Sequence, residues 1–285
     1  MRLFLVVMSV VTALTALPAG AAAYTGPLID AHSHVPDARA IDAYVAAMKR
    51  HNVSKVLLLG VGGIQKNDPA LIAAAAKKYP DHVIVGLPLP DPENEAAATR
   101  VEAELAKGPA RAIGEVHVRQ ASRKINRDPS EPAFVKILGI AAGRKVPVVI
   151  HQELDDRATA ALERALQAAP EATIVLAHGG ESAPDRLQGL LARNRNLMID
   201  LSGMHFLRTP RLAPENGPLD PGWKALIERQ PERFLMGIDV WSPRLLEPAM
   251  LDRLMRWTRR VLGELRPEVA ERVAHGNAAR LFGVK

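Results

Sequence analysis

Two histidines near the start of the chain stand two residues apart, in the segment Asp30-Ala31-His32-Ser33-His34. On an extended strand, residues two apart point to the same side and lie about 7 Å from each other. Two imidazoles placed in this way can converge on one ion at a metal–nitrogen distance of about 2.0–2.1 Å. The pair therefore predicts a metal site at the end of the first strand.

Further polar residues follow later apolar, β-rich runs of the chain. They are Glu115 and His117 after the fourth run, His151 after the fifth, His178 after the sixth and Asp239 after the eighth. Any one histidine alone is as well explained as a hydrogen-bonded core or surface residue, but scattered histidines have no reason to gather where strands finish. Imidazoles and a carboxylate together suit a divalent ion, zinc first, with iron or manganese as alternatives.

From residue 28 onward, short apolar runs alternate with amphipathic segments, which is typical of βα units and a parallel sheet. The predicted strands are Leu28–Ala31, Lys55–Leu59, Val83–Leu87, Ala112–Val116, Val148–Ile150, Thr173–Ala177, Leu197–Leu201 and Phe234–Gly237. The predicted helices are Ala38–His51, Pro69–Tyr79, Glu93–Lys107, Pro132–Arg144, Asp156–Ala169, Pro184–Arg193, Pro221–Gln230 and Pro248–Leu265. Eight such units predict one α/β domain over residues 24–285, a (β/α)8 TIM barrel with its active site at the carboxyl ends of the strands.

Two segments are interpreted as loops near that active site. Gly60-Val61-Gly62-Gly63 follows the second strand and lacks the dinucleotide-binding fingerprint, so we expect a flexible loop over the barrel mouth. The Pro-rich segment Pro210–Pro221 follows the seventh strand and is long enough to cover part of the site.

The first residues have the order of a secretory signal peptide. Met1-Arg2 is followed by the uncharged, mostly apolar stretch Leu3–Leu17, and Ala21-Ala22-Ala23 offers small residues for cleavage. We expect cleavage after Ala23, an exported protein in the periplasm or outside the cell, and no stable membrane association afterwards. An uncleaved anchor is the alternative, although the apolar stretch is short for a bilayer.

Composition narrows the possible chemistry. The chain has no Cys, which excludes thiolate nucleophiles and ligands and suits an oxidising compartment. It has no nucleophile-elbow, P-loop or H-E-x-x-H motif. The net charge of +6, or +5 without Arg2 (6 − 1), is spread over amphipathic segments, so a nucleic-acid partner is not expected. We expect a small-molecule substrate, and the sequence leaves a homo-oligomer open.

Several segments resemble the amidohydrolase superfamily, most of all its amidohydrolase-related branch, which includes metal-dependent decarboxylases. The matching pieces are Asp30-Ala31-His32-Ser33-His34, His151, Leu176-Ala177-His178-Gly179-Gly180, Gly237-Ile238-Asp239 and the closing Gly276–Gly283. Ala112-Ile113-Gly114-Glu115 is similar to the TatD-like members. The closing segment is less specific, because a structural helix capped by Asn277 would also explain it.

The resemblance implies the roles of the site residues. His32, His34 and His151 would bind metal, and Asp239 would be both a ligand and the acceptor of a proton from the metal-bound water. His178 would be a ligand of a second ion, or a base and electrophile beside the substrate. Glu115 stands where many relatives have a carbamylated Lys, so it would be a ligand, as in TatD-like members, or else an ion-pair partner of an Arg. The number of metal ions, one or two, stays open.

Other residues are candidates for substrate contacts. His117 shares the side of Glu115, His205 follows the seventh strand, and Trp241 follows Asp239. A packed core position is the alternative for His117, an exposed loop for His205, and packing against a helix for Trp241. Three further histidines, at positions 51, 82 and 275, are interpreted as structural.

Four functions are compatible with this sequence. The first is hydrolysis of an ester, lactone, amide or related bond of a small molecule by metal-activated water. The second is metal-dependent decarboxylation of an aromatic or unsaturated acid, for which Arg119 could bind the carboxylate. The third is a TatD-like phosphodiesterase or nuclease, and the fourth is a catalytically silent barrel that only binds metal or ligand.

Overall fold

The computed structural model describes residues 22–61 and 67–285. Its strands are β1 (Leu28–Ser33), β2 (Val53–Leu58), β3 (Val83–Leu87), β4 (Ala110–Gln120), β5 (Ile125–Asn126), β6 (Val148–Gln152), β7 (Ile174–Leu176), β8 (Leu197–Asp200) and β9 (Phe234–Leu235). Its helices are α1 (Ala40–Arg50), α2 (Asp68–Lys78), α3 (Glu95–Lys107), α4 (Pro132–Gly143), α5 (Asp156–Ala168), α6 (Pro184–Arg193), α7 (Pro221–Arg229), α8 (Pro248–Gly263), α9 (Pro267–Glu271) and α10 (Asn277–Phe282).

Eight of the strands form one parallel sheet in the order β1-β2-β3-β4-β6-β7-β8-β9. Backbone hydrogen bonds between β1 and the residues after β9 close this sheet into a barrel. The backbone N–H of Ala31 donates to the oxygen of Met236 (3.0 Å), and that of Asp239 donates to the oxygen of His32 (2.8 Å). The predicted single-domain (β/α)8 TIM barrel is therefore confirmed.

Apolar side chains pack in two layers on either side of the strands, as alternation along each strand requires. The inner layer fills the barrel with residues such as Ile29, Leu57 and Val149, and Phe282 of α10 packs against its lower end. The outer layer lies between the sheet and the surrounding helices and contains most of the buried Leu, Ile and Val side chains. Because both faces of the strands are covered, the strand sequences are almost continuously apolar.

Of the eight predicted strands, only β3 has the predicted bounds, and the two largest differences have a structural cause. β4 is longer than the predicted Ala112–Val116, because its end pairs with the short antiparallel strand β5, with Arg119 opposite Asn126. The predicted eighth strand keeps only Phe234–Leu235, because the following residues make irregular hydrogen bonds to β1.

Asn277 has a different role from the predicted helix cap. The residue that precedes α10 is Gly276, and no side chain caps this helix. Asn277 is fully buried, and its side-chain amide donates to the backbone oxygens of Pro231 (2.7 Å) and Phe234 (2.8 Å). The side chain thus joins the last helix to the start of β9 at the lower end of the barrel.

Two predictions concern residues outside the described ranges. The proposed signal peptide, residues 1–23, lies outside them apart from Ala22 and Ala23, and so do Gly62 and Gly63 of the predicted mouth loop. Within residues 22–61 and 67–285, no helix combines the length and apolar character needed to span a membrane.

Candidate metal centre

The polar residues predicted from the strand ends meet at the upper, carboxyl-terminal end of the barrel. None of the six predicted ligands is more than 5% exposed. These ligands are His32, His34, Glu115, His151, His178 and Asp239. Their ring nitrogens and carboxylate oxygens form overlapping groups in which these atoms lie within 4.8 Å of one another. Three local backbone features bring them together.

The first feature is an irregularity in β1, whose pairing with β2 shifts between Asp30 and Ser33. The carboxylate of Asp30 accepts hydrogen bonds from the backbone N–H groups of His32 (3.2 Å) and Ile238 (2.7 Å). It also accepts from the hydroxyls of Ser33 (2.6 Å) and Tyr44 (2.5 Å). Burial raises the pKa of Asp30 to about 6, while these four hydrogen bonds favour its ionised form. Asp30 thereby fixes the backbone that carries His32.

The second feature is a bulge in β4. Ile113 pairs with Val148 and Val116 pairs with Ile150, so β4 has one residue more than β6 between these two pairs. Gly114 lies in this bulge at φ +133°, and a Cβ there would meet the backbone oxygen of Val149 at 2.4 Å. Glycine is therefore required, and the bulge lets both Glu115 and His117 face the barrel interior.

The third feature is a left-handed turn after β7. The four consecutive residues His178–Glu181 have φ values between 49° and 62°, a conformation that glycine adopts without a steric penalty. A Cβ on Gly180 would meet Leu154 Cγ at 2.7 Å, so this position also requires glycine. The turn directs His178 inward, where its Nδ1–H donates to the backbone oxygen of Ser202 (2.9 Å).

The histidine pair has the geometry of two ligands of one ion. His32 Nδ1 lies 2.6 Å from the Asp200 carboxylate, and His34 Nδ1 lies 2.9 Å from the Leu59 carbonyl oxygen. Because these partners only accept, each Nδ1 carries the hydrogen, and each Nε2 presents a lone pair in the neutral ring. The two Nε2 atoms are 3.2 Å apart. Two nitrogens bound tetrahedrally at about 2.0–2.1 Å would be separated by about 3.3 Å, so the pair fits a divalent ion.

Glu115 divides its two oxygens between two sets of histidines. Its Oε2 lies 3.7 Å from Nε2 of both His32 and His34. Its Oε1 lies 3.0 Å from His151 Nδ1 and 3.2 Å from His178 Nε2. Within the described part of the chain, Glu115 contacts histidines and no arginine, so its interpretation as an ion-pair partner of an Arg is wrong.

Asp239 completes the cluster from the opposite side. Its Oδ1 lies 3.5 Å from His34 Nε2, and its Oδ2 lies 3.9 Å from His178 Nδ1. Arg208, in the segment between β8 and α7, donates to the same Oδ2 (2.6 Å). Arg208 stands just before the predicted covering loop, Pro210–Pro221, and reaches the cluster itself.

The carboxylates and histidines of the cluster shift one another's pKa values in a way that balances their charges. Burial opposes ionisation of Glu115, but the charge of His32 and hydrogen bonds from neighbouring histidines hold its pKa well below its usual range. Burial also opposes charge on His32 and His178, but Glu115 and either Asp200 or Asp239 raise the pKa of both rings. A divalent ion bound at the lone pairs would replace these protons, because ligating imidazoles must be neutral.

Three functional residues were missed by the sequence analysis. Asp200 accepts from His32 and also from the hydroxyl of Ser202 (2.7 Å), while the backbone oxygen of Ser202 accepts from His178. Asp200 and Ser202 thus connect the predicted ligands His32 and His178. The third missed residue, Arg208, donates to the predicted ligand Asp239. Asp200 stands within the predicted seventh strand, where a carboxylate in an apolar run could have identified it.

A cavity of about 240 Å³ opens onto the cluster. Its lining includes His117 and Trp241, two of the three candidates for substrate contacts, together with Gln120 and Arg123, but not His205. Trp241 is 48% exposed and stands at its edge rather than packing into a helix interface. A larger cleft of about 670 Å³ lies between α3 and α4 and has none of the cluster residues in its lining.

Two other predictions are corrected. The exposed-loop interpretation of His205 is wrong, since the ring is buried and burial lowers its pKa to about 4. Arg119 is not available for a substrate carboxylate in the cavity, because it donates to the backbone oxygen of Glu153 (2.7 Å) and pairs with Asp155 (2.7 Å). A second register shift between β4 and β6, from His117 to Arg119, and the pairing of Arg119 with Asn126 of β5 accompany this direction, and neither can be read from the sequence.

The remaining histidines lie away from the cluster, as predicted. His51 Nε2 lies 2.8 Å from Asp252, and His82 Nδ1 donates to the backbone oxygen of Ser54 (3.1 Å). His275 is only half-buried and precedes α10.

Comparison of the fold with solved structures gives matches over most of the chain at low sequence identity. Dihydroxybenzoic acid decarboxylase from Polaromonas sp. JS666, solved with manganese and the inhibitor 2-nitroresorcinol, has a TM-score of 0.65 and 14% identity over 90% of this chain and 97% of that chain. A "probable 2-pyrone-4,6-dicarboxylic acid hydrolase" from Acinetobacter baumannii has a TM-score of 0.63 and 15% identity over 90% of this chain and 99% of that chain. 4-Oxalomesaconate hydratase from Rhodopseudomonas palustris has a TM-score of 0.61 and 16% identity over 90% of this chain and 95% of that chain. These similarities show the fold.

Sequence comparison shows the family. No curated protein sequence matches the chain. The profile of the family described as Amidohydrolase (Amidohydro_2) matches residues 61–284, which include Glu115, His151, His178 and Asp239. The chain therefore belongs to the amidohydrolase family and is an enzyme of the amidohydrolase type.

Proposed function

We propose that this protein is a hydrolase that uses a metal-activated water on an ester, lactone, amide or related bond of a small molecule. The observation that carries the proposal is the position of Glu115, whose two oxygens face two different pairs of histidines. Such an arrangement can hold two ions about 3.5–4 Å apart, a spacing used by hydrolytic enzymes such as phosphatases, nucleases and aminopeptidases.

The residues divide naturally between two ions. His32, His34 and Asp239 would hold the first, His151 and His178 would hold the second, and Glu115 would be shared. Zinc suits this set of imidazoles and carboxylates, and manganese, found in the Polaromonas decarboxylase, is the alternative. When bound, such an ion would act as a Lewis acid and lower the pKa of a bound water towards about 7.

Side chains of the protein would accept and transfer the proton of the bound water. Asp239 is held ionised, because His178 and His34 lower its pKa despite burial, and Arg208 fixes its Oδ2. Its Oδ1, which faces His34 rather than Arg208, is therefore the oxygen that would accept a proton and pass it to a leaving group. Ser202 fixes the ring of His178, so that His178 presents Nε2 toward Glu115 and the cavity.

Decarboxylation is the second candidate. Arg123 lines the cavity and could bind an acidic substrate, and the Polaromonas structure is that of a decarboxylase. The shared position of Glu115 favours hydrolysis over this alternative. A nuclease is less well supported, because a cavity of about 240 Å³ suits a small molecule better than a nucleic acid.

The proposal also includes the cellular location of the protein. The order of residues 1–23 supports export to the periplasm or beyond, with cleavage after Ala23. The mature chain would begin at Tyr24, whose backbone N–H donates to the oxygen of Arg259 on α8 (2.9 Å).

The experiment that tests the reaction type uses isotopic water. The purified protein is incubated with a panel of small esters, lactones and amides in H₂¹⁸O and, separately, with aromatic and unsaturated acids while CO₂ is collected. The proposal expects ¹⁸O in the acid product, lost after chelation and in a His32→Ala/His34→Ala variant. Release of CO₂ without ¹⁸O incorporation would support decarboxylation and contradict it.

A further inference from the structure

Two polar atoms in the wall of the cavity have no hydrogen-bond partner. Among the described residues, Nδ1 of His117 and Oε1 of Gln120 are buried and unpaired. Both residues belong to the upper end of β4, and both line the cavity. Buried polar atoms in proteins are nearly always paired, so these two indicate a partner that the described residues do not supply.

Both atoms are acceptors. His117 Nε2 lies 3.1 Å from the carboxylate of Glu115, which only accepts, so Nε2 carries the hydrogen and the neutral ring has its lone pair on Nδ1. Gln120 offers the lone pairs of its carbonyl oxygen. The missing partner must therefore donate hydrogen through an O–H or N–H group.

A positive charge stands next to these acceptors. Arg123 lies three residues beyond Gln120, in the turn Ala121–Arg123, and lines the same cavity. It is exposed and makes no ion pair with any described residue, in contrast to Arg119 and Arg208. A free guanidinium at this position suits a carboxylate.

We propose that His117, Gln120 and Arg123 form a substrate-recognition wall, here named the β4 wall, which binds a small carboxylate bearing a hydroxyl donor. The carboxylate contacts Arg123, and the hydroxyl donates to Oε1 of Gln120. His117 also contacts Glu115, so the β4 wall places this substrate beside the candidate metal centre. The proposal deepens the proposed function, since it names the substrate class of the same site.

The test compares ligands that differ only in the donor. Succinate has no hydroxyl, malate has one, and 2-methoxysuccinate keeps the oxygen but cannot donate. Dissociation constants are measured by calorimetry on the purified full-length protein and on two variants, Gln120→Leu and Gln120→Glu. We expect malate to bind about tenfold more tightly than 2-methoxysuccinate, because a buried acceptor is left unpaired by the methoxy compound.

The variants separate recognition by the β4 wall from metal chelation. The Gln120→Leu change should reduce the preference for malate to about two- to threefold, whereas Gln120→Glu, which keeps the acceptor, should retain it while both ligands bind more weakly. Gln152→Leu is the matched control. Gln152 also has a buried unpaired Oε1 but does not line the cavity, so the preference should stay unchanged.

Three outcomes would overturn the proposal. They are equal binding of malate and 2-methoxysuccinate, a preference for malate that persists in Gln120→Leu, and no binding of any of the three acids. The measurement requires no turnover, so a failure of hydrolysis in isotopic water would contradict the proposed function while leaving the ligand preference readable.

Discussion

The two ends of the barrel are built from the same strands but use their polar residues differently. At the lower end, polar side chains are paired with backbone groups: Asn277 with the oxygens of Pro231 and Phe234, and Arg259 with those of Tyr24 and Gly26. At the upper end, imidazoles and carboxylates face one another, and some buried atoms have no partner among the described residues.

Positive φ in residues other than glycine occurs at both ends: Asn52 and Lys145 stand just before β2 and β6 at the lower end. His178, Glu181 and Asp239 adopt positive φ at the upper end, where a side chain makes this conformation costly. Such costs persist where the surrounding structure fixes the conformation. The difference in polar pairing teaches that the lower end stabilises the barrel, whereas the upper end collects charged groups that suit the proposed ion and substrate.

The largest effect is expected for Asp239→Asn. Removing the proton acceptor should lower turnover of any ester or lactone that the wild-type protein hydrolyses by about 10²–10⁴-fold, the usual contribution of a general acid or base. Steady-state kinetics measure this, with metal content determined on the same samples. Turnover within tenfold of the wild type, at equal metal content, would show that Asp239 is not the proton acceptor.

A smaller effect is expected for Asp200→Ala, which removes the acceptor for His32 Nδ1. Loss of such a partner should weaken metal affinity by about 10–100-fold. The matched change at the lower end is Asp252→Ala, which removes the acceptor of His51 at a similar distance. Competition with a chelating dye measures both, and a similar loss in the two variants would remove the distinction between the two ends.

The reverse pattern is expected for Asn277→Ala. Two buried carbonyl oxygens lose their donor, so the free energy of unfolding should fall by about 2 kcal/mol, or about 30-fold in the unfolding equilibrium. Metal affinity should not change. Urea denaturation with a metal titration tests this, and Asn94→Ala, at an exposed helix cap, should cost only about 1 kcal/mol.

The smallest effect is the pH dependence of metal binding. The pKa values of His32 and His178 are raised, so both rings keep their protons to a higher pH than a free histidine. An ion must displace these protons, so affinity should increase by about tenfold or more from pH 6 to pH 8. Calorimetry in buffers of different ionisation enthalpy also measures proton release, and an affinity independent of pH would contradict the charge balance described for the cluster.

The sequence predicted most of the fold, because burial on both faces makes each barrel strand an apolar run and places a polar residue where the run ends. It also predicted that His32, His34, Glu115, His151, His178 and Asp239 lie together, since the carboxyl ends of parallel strands share one rim. Their roles as metal ligands remain a prediction.

The sequence could not predict features that depend on local backbone geometry. Arg119 was expected at the cavity, but a second register shift between β4 and β6, from His117 to Arg119, interrupts the alternation there, and Arg123 lines the cavity instead. Burial of His205 depends on how a long segment folds over the barrel. The contacts of Asp200 with His32 join strands far apart in the chain, and no spacing rule reveals them.

The central claim is that the upper end of the barrel holds a divalent metal. Elemental analysis of the purified protein, beside His32→Ala/His34→Ala and Glu115→Gln variants, tests it most directly. We expect about one to two equivalents of zinc or manganese in the wild type, loss in the double variant, and a lower stoichiometry or affinity in Glu115→Gln. A protein that contains no metal and takes up none on reconstitution would contradict the account.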